Sequence, residues 1–462
     1  MPNRPSEERN ASDSNDARRR VTAIGVLSST AATVQLWSWA AASGALAALV
    51  TLAFRWLIRA IEWLGTGQTS GLVEAARSLA PWQRPIVCMV GGVLAGLVLQ
   101  WGGRWAARGA AGDRHLDYID AARLGSVKLN DRTNLTRTLS ALLSIGTGAS
   151  IGREGPMVQL SAWASSWLSR IVPIEPDQRS AIMVCGIAAG MASAYHAPVA
   201  GVVFVLELAL GFFARHAVVP VLIASGTASS LVYALVDSKP LYAAAPIAML
   251  PSSLLFTLFA GILFGCLGWG FLSLVERSRT LFARVRSSPI RLGLGGLMVG
   301  ILSAFVPEVW GNGYSVVSAS LSGSEPWQWL LLILLTKVVA TSWSSGSGAI
   351  GGMFTPSLFV GATAGGVVSQ IAALWLPAAY VGDPRSLVVI GMAAVLSAAT
   401  HAPLMAITMV LEMTNEFQLT VPVMLACAVA YAISTKFGAK PLYGNPIEGG
   451  SMGRDMAEKV PS

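Results

Sequence analysis

Residues 254–275 read "LLFTLFAGILFGCLGWGFLSLV", without one charged side chain. A helix needs about 20 such residues to cross the hydrocarbon of a bilayer. Runs of this kind recur along nearly the whole chain, among them "LWSWAAASGALAALVTLAFRWLI", "IVCMVGGVLAGLVLQW", "AVVPVLIASGTASSLVYALV" and "VPVMLACAVAYAIS". Roughly ten segments reach or approach spanning length, and others are shorter or broken by Gly and Pro. The strands of a membrane barrel would alternate apolar and polar residues at period two; these runs do not. The expected fold class is an all-α polytopic membrane protein. Composition agrees, with 53% of the 462 residues hydrophobic and 12% charged, against about one-quarter charged in a soluble chain.

The net charge of +8 is read as basic loops on the cytoplasmic face of a membrane, so no nucleic-acid partner is expected. Residues 1–32 are expected to form a cytoplasmic tail, polar and without regular structure at first, followed by a short amphipathic helix. Arg18, Arg19 and Arg20 precede the apolar part and place the N-terminus in the cytoplasm. The leader is polar and lacks the short apolar core of a cleavable signal. Cys88, Cys185, Cys266 and Cys427 stand singly in apolar runs, with no CxxC spacing. They read as small hydrophobes, and no metal or cofactor is expected.

The chain repeats itself. "GTGASIGREGP" from Gly146 and "GSGAIGGMFTP" from Gly346 share one pattern of glycines and a closing proline. "YHAPVAGVVFVLEL" from Tyr195 and "THAPLMAITMVLEM" from Thr400 share HAP followed by VLE. Both motifs keep their order and nearly their separation, which indicates an internal duplication. The expected organisation is membrane repeat 1 over 33–236, a connector over 237–248, membrane repeat 2 over 249–436 and a terminal segment over 437–462. Duplicated membrane halves with Gly/Pro-interrupted segments at matching places are a transporter signature, whether parallel or inverted.

A helix that begins in mid-membrane after Gly152 leaves its first N–H groups without intrahelical partners. Its dipole puts partial positive charge there, glycines admit a ligand to the backbone, and Pro156 suits a first turn. This is a cradle for an anion. "GGMFTP" from Gly351 supplies a second one. Glu154 is then a carboxylate that competes with a permeating anion until protonation releases it, a proton-responsive gate; the alternative is a structural ion pair with Arg153. Glu207 and Glu412 close the two HAP…VLE segments. Glu207 reads as a proton route or as a structural group. Lys337, inside "LLILLTKVVAT", either snorkels or draws anions to the path. His196 and His401, each two residues before a proline, read as turn residues.

These residues together resemble the CLC family of chloride channels and transporters. The resemblance rests on "GREGP" (152–156), "APVAGVVFVLE" (197–207), "GGMFTPSLFVGA" (351–362), "APLMAITMVLEMT" (402–414) and "KPLY" (440–443), and "WGNGYSVV" (310–317) looks like its bacterial ClcB-like branch. It implies a homodimer with one pore per subunit. Each subunit would be an inverted repeat of tilted and partial helices, multi-pass in the cell (inner) membrane, with both termini cytoplasmic. It implies that Arg153, Glu154, Gly155, Met353 and Phe354 line the anion site, that the Tyr443 hydroxyl donates to the anion, and that Glu154 is the gate. Chloride is the permeant ligand, and the other partners are the bilayer and a second copy of the chain.

Two positions depart from the family pattern. A gap-free count places Asp113 where most members carry an anion-binding serine. Leu208 stands where proton-coupled members carry an inward-facing glutamate. Leucine does not titrate, so the leading expectation is a voltage-gated or pH-responsive chloride channel. The alternative is a chloride/proton antiporter, with a fluoride exporter third. No nucleophile–base pair or ligand cluster suggests an enzyme. The terminal segment is too short for a pair of nucleotide-binding (CBS) domains, so nucleotide control through one is not expected.

Overall fold

The computed structural model describes residues 6–107, 117–125, 129–210, 215–236, 240–242, 247 and 250–443. Among these the regular structure is helical. The first half runs α1 (Ser6–Thr66), α2 (Leu72–Ser78), α3 (Gln83–Ala107), α4 (Tyr118–Arg123), α5 (Asp131–Gly146), α6 (Glu154–Ile171), α7 (Pro176–Tyr195), α8 (Pro198–Phe204) and α9 (Arg215–Leu235). The second runs α10 (Leu254–Phe282), α11 (Ser288–Phe305), α12 (Tyr314–Ser322), α13 (Trp327–Gly346), α14 (Phe354–Ala372), α15 (Ala378–Val381), α16 (Pro384–Thr400), α17 (Pro403–Thr414) and α18 (Thr420–Lys436). Eight described helices are long and apolar enough to cross a membrane, and Pro198–Ala209 and Pro403–Thr414 are shorter apolar helices. The polar leader, expected to start without regular structure, is helical from Ser6. As an extension of α1 it escapes the nucleation that an isolated segment would need.

Local chemistry sets the helix ends. Asn130 caps α5 through its side chain, and Asp117 does so for α4. His196 and His401 end α7 and α16 in the left-handed conformation, at φ 57° and 56°. Each is followed by Ala and then a proline that opens α8 or α17. The turn reading of both histidines agrees with this geometry.

Packing in one half is repeated in the other. The pairs α6–α7, α1–α9, α7–α9 and α1–α7 correspond to α14–α16, α10–α18, α16–α18 and α10–α16. The halves join where α3 packs on α11 and α8 packs on α17. Helices α14 and α16 lie at the centre, and nearly every residue of both is buried. A helix buried all round must be apolar on every face, which these two are.

Candidate functional site

Helices α6 and α14 begin where the halves meet. Gly148 and Gly348 turn the preceding loops at φ 97° and 89°, a region that a side chain resists. The loops then pair as an antiparallel bridge. The Gly152 N–H donates to the Gly352 carbonyl at 2.8 Å, and the Gly352 N–H donates to the Gly152 carbonyl at 2.7 Å. A Cβ on Gly352 would lie 2.9 Å from the Gly155 nitrogen, so the absent side chain is what lets the two helix starts approach. Arg153 and Met353 are the N-caps, and neither bonds its helix through a side chain. Two helix N-termini with unpaired N–H groups therefore face one spot.

Glu154, the first residue of α6, is 4% exposed. Its Oε1 accepts a hydrogen bond from Asn312 Nδ2 at 2.9 Å. Arg153 Nε lies 3.9 Å from the same oxygen, too far for a hydrogen bond. Glu154 Oε2 and Arg153 Nε are buried without a hydrogen-bond partner among the described residues. Arg153 is thus an ion-pair neighbour without a hydrogen bond, and Asn312 supplies the hydrogen bond to the carboxylate.

The loop that carries Asn312 is itself anchored. Lys337 is fully buried, and its Nζ donates to the carbonyls of Val309 at 3.0 Å and Gly311 at 2.7 Å. Glu308 on the same loop accepts from Arg77 at 2.7 Å, and this bond holds the Arg77 guanidinium above its ordinary range. Lys337 therefore neither snorkels to the surface nor lines a path for anions. Its ammonium is spent on backbone carbonyls within the protein.

Two cavities flank the helix starts and share no lining residue. The first, about 290 Å³, includes Arg59, Glu62, Ile151, Arg153, Asn312 and Tyr314. The second, about 250 Å³, includes Asp117, Arg137, Gly155, Arg279, Met353 and Tyr443. The Phe354 ring packs on Tyr443 at 5.2 Å between centroids, and the Phe204 ring lies 6.2 Å from Tyr443. Tyr118 lines the same cavity as Tyr443, and burial pushes the Tyr118 phenol well above its ordinary range. Gly155, Met353 and Tyr443 thus line the second cavity, with Phe354 packed on Tyr443, while Arg153 lines the first and Glu154 stands between Arg153 and Gly155.

Glu207 and Glu412 make reciprocal caps. Glu207 accepts from the Leu404 and Met405 N–H groups at 3.2 and 2.7 Å, at the start of α17. Glu412 accepts from the Val199 and Ala200 N–H groups at 3.0 and 2.7 Å, at the start of α8. The next residue, Leu208, is buried, and its carbonyl accepts from Arg123 at 2.9 and 3.1 Å. Asp113 lies outside the described residues. The carboxylate that the fold brings beside Tyr443 is Asp117. A gap-free count could not see this, because it fixes register across a loop of unknown length. Asn312 was present in the sequence only within "WGNGYSVV", and nothing local ties that stretch to Glu154.

Among the described residues no group of three His, Cys, Asp or Glu is placed to hold a metal ion. Residues 91–435 match the family model described as voltage gated chloride channel.

The chain belongs to that family.

Within the family it is 42% identical over 424 residues to a putative chloride channel protein ClcB-like of Ralstonia nicotianae, covering 90% of this chain and 97% of that protein. It is 37% identical over 417 residues to the voltage-gated ClC-type chloride channel ClcB of Salmonella typhi, covering 87% and 96%. The fold matches a slow cyanobacterial Cl-/H+ antiporter at TM-score 0.77 and 22% identity, over 92% of this chain and 99% of that one. It also matches a CLC-type fluoride/proton antiporter at TM-score 0.71 and 25% identity, over 89% and 98%. The chain is thus a multi-pass member of a channel and transporter family and not an enzyme, with the tilted, partial helices of the CLC fold.

Proposed function

We propose that the protein moves chloride and similar anions across the cell (inner) membrane, in exchange for protons, through a path in each subunit closed by Glu154. The observation that carries this reading is the position of one carboxylate. Glu154 is buried between two cavities, at the meeting point of two helix N-termini that have no side-chain cap. An anion bound there would be held by N–H dipoles of Arg153, Glu154, Gly155, Met353 and Phe354, with the Tyr443 hydroxyl as a further donor. Dipoles attract an anion without the full charge that would trap it. The ionised Glu154 occupies the same ground, so protonation vacates it and links anion passage to a proton.

The sequence favoured a passive channel. Exchange is the reading adopted here, because the cavities share no lining residue and Glu154 stands between Arg153, which lines the first, and Gly155, which lines the second. The solved structures of this fold named above are both of proton antiporters, which supports the same reading. The channel reading draws on Leu208, which removes the family's inward-facing proton group. In a planar bilayer under a chloride gradient, exchange shifts the reversal potential away from the chloride equilibrium value when a pH gradient is added. A potential fixed at the chloride value makes the protein a channel. Fluoride flux several times the chloride flux would move the substrate to fluoride.

The proposal includes a duplicated subunit, with halves at 33–236 and 249–436 in inverted orientation, that pairs as a homodimer with both ends in the cytoplasm. The recurrence of helix pairings and of the left-handed histidine turns supports the duplication. In this orientation the first cavity is external and the second faces the cytoplasm.

A further inference from the structure

We propose that Asp117 is a second titratable carboxylate of the anion path, which takes a proton from the cytoplasmic side and admits the anion when neutral. The inference rests on the anion path proposed above and adds a group that neither the sequence nor the family pattern assigned.

Asp117 is half-buried and lines the second cavity together with Tyr443, Gly155, Gly352 and Met353. An anion leaving the proposed cradle through this cavity would pass that lining. The carboxylate is held in place, since Asp117 Oδ1 accepts from the Tyr118 N–H at 2.6 Å. Tyr118 and Tyr443 line the same cavity. An ionised Asp117 beside Tyr443 repels an incoming anion, and a proton from water in the cavity removes that repulsion. The cavity also holds Arg137 and Arg279, the latter paired with Glu276 at 3.7 Å. Loss of the Asp117 charge makes this lining more attractive to an anion.

The surrounding groups do not supply an alternative. Helix α4 packs on the π-helical turn Val205–Leu210, on α6 and on α7. The turn presents Glu207, whose carboxylate is bound to the Leu404 and Met405 N–H groups. Helix α6 presents Gln159, which accepts weakly from the Tyr118 N–H at 3.4 Å, and Glu154 at its start. Helix α7 presents the Tyr195 phenol, bonded to Thr355 Oγ1 at 3.3 Å. On α4 itself Asp120 pairs with Arg123 at 3.7 Å, and Arg123 closes off Leu208. Asp117 is therefore the carboxylate on the cavity wall, and it takes over the titrating role that Leu208 cannot fill.

The test uses Glu154→Gln protein in liposomes, where the first carboxylate no longer titrates. Chloride flux should still rise as pH falls, by up to about tenfold per pH unit, the limit set by one proton. The double variant Asp117→Asn, Glu154→Gln should be flat to within about twofold, because Asn caps a helix as well as Asp and removes only the titration. Asp117→Glu should restore a pH response. A flat profile in Glu154→Gln alone overturns the inference, and so does a residual slope that survives Asp117→Asn. Monodisperse elution of Asp117→Asn shows that it folds; if it does not, Asp117→Ser in the same background gives the same comparison. Failure of the anion-path reading looks different, because the Glu154→Gln protein would then keep the full pH profile of the unaltered protein.

Discussion

Gly152 and Gly352 hydrogen-bond each other twice, N–H to carbonyl in both directions, at 2.8 and 2.7 Å. Two residues at matching places in the repeated motifs are thereby neighbours in space. The bridge sets the distance between the start of α6 and the start of α14, and hence the size of the cradle between them.

Gly352→Ala places a methyl group 2.9 Å from the Gly155 nitrogen. Overpacking of this kind destabilises by about 1–3 kcal/mol. Thermal unfolding in detergent should show a lower midpoint, and bromide binding measured by calorimetry should weaken further than stability does. Bromide affinity equal to that of the unaltered protein would remove the bridge from the anion site.

Asn312→Ala takes away the hydrogen bond to Glu154 Oε1. With that donor gone, the midpoint of proton-activated flux should move to higher pH. Lys337→Met frees the Val309 and Gly311 carbonyls and should move the midpoint the same way while lowering thermal stability. In combination the two variants should shift the midpoint by less than the sum, as expected for residues acting through one loop. A midpoint unmoved by Asn312→Ala counts against its hold on Glu154.

Glu207→Gln and Glu412→Gln should destabilise the protein by similar amounts, about 1–3 kcal/mol each, since each carboxylate accepts two backbone hydrogen bonds at the start of a helix from the other half. Proton movement per chloride, from paired pH-electrode and chloride-electrode records, should be unchanged in Glu207→Gln. A fall in that ratio without a fall in stability would return Glu207 to the proton route.

Tyr443→Phe keeps the ring contact with Phe354 and removes the hydroxyl that lines the second cavity. The nitrate-to-chloride permeability ratio should move toward one, with the unfolding midpoint little altered. An identical ratio would place the anion away from Tyr443.

Much of the site is local and was therefore legible. A glycine-flanked helix start with a proline in its first turn announces itself in "GREGP" and "GGMFTP", and the repeat shows that there are two. The turn role of His196 and His401 is local as well, because a residue between a helix end and Ala-Pro must change direction. What stayed hidden depends on distance along the chain. Asn312 reaches Glu154 across 158 residues, Lys337 serves a loop two elements away, and Asp117 meets Tyr443 from the opposite half. Lys337 shows the limit well, since a lysine in an apolar run reads as a snorkelling or pore-lining charge until its carbonyl partners are seen.

By itself the sequence determined the membrane class, the repeated motifs and the two glycine-flanked helix starts, because these follow from hydropathy length and from backbone chemistry within a few residues. Only the tertiary structure decided which groups surround Glu154 and which carboxylate lines the second cavity. Those choices are made by how α3 packs on α11 and α8 on α17, and packing between distant segments leaves no periodic trace in either one.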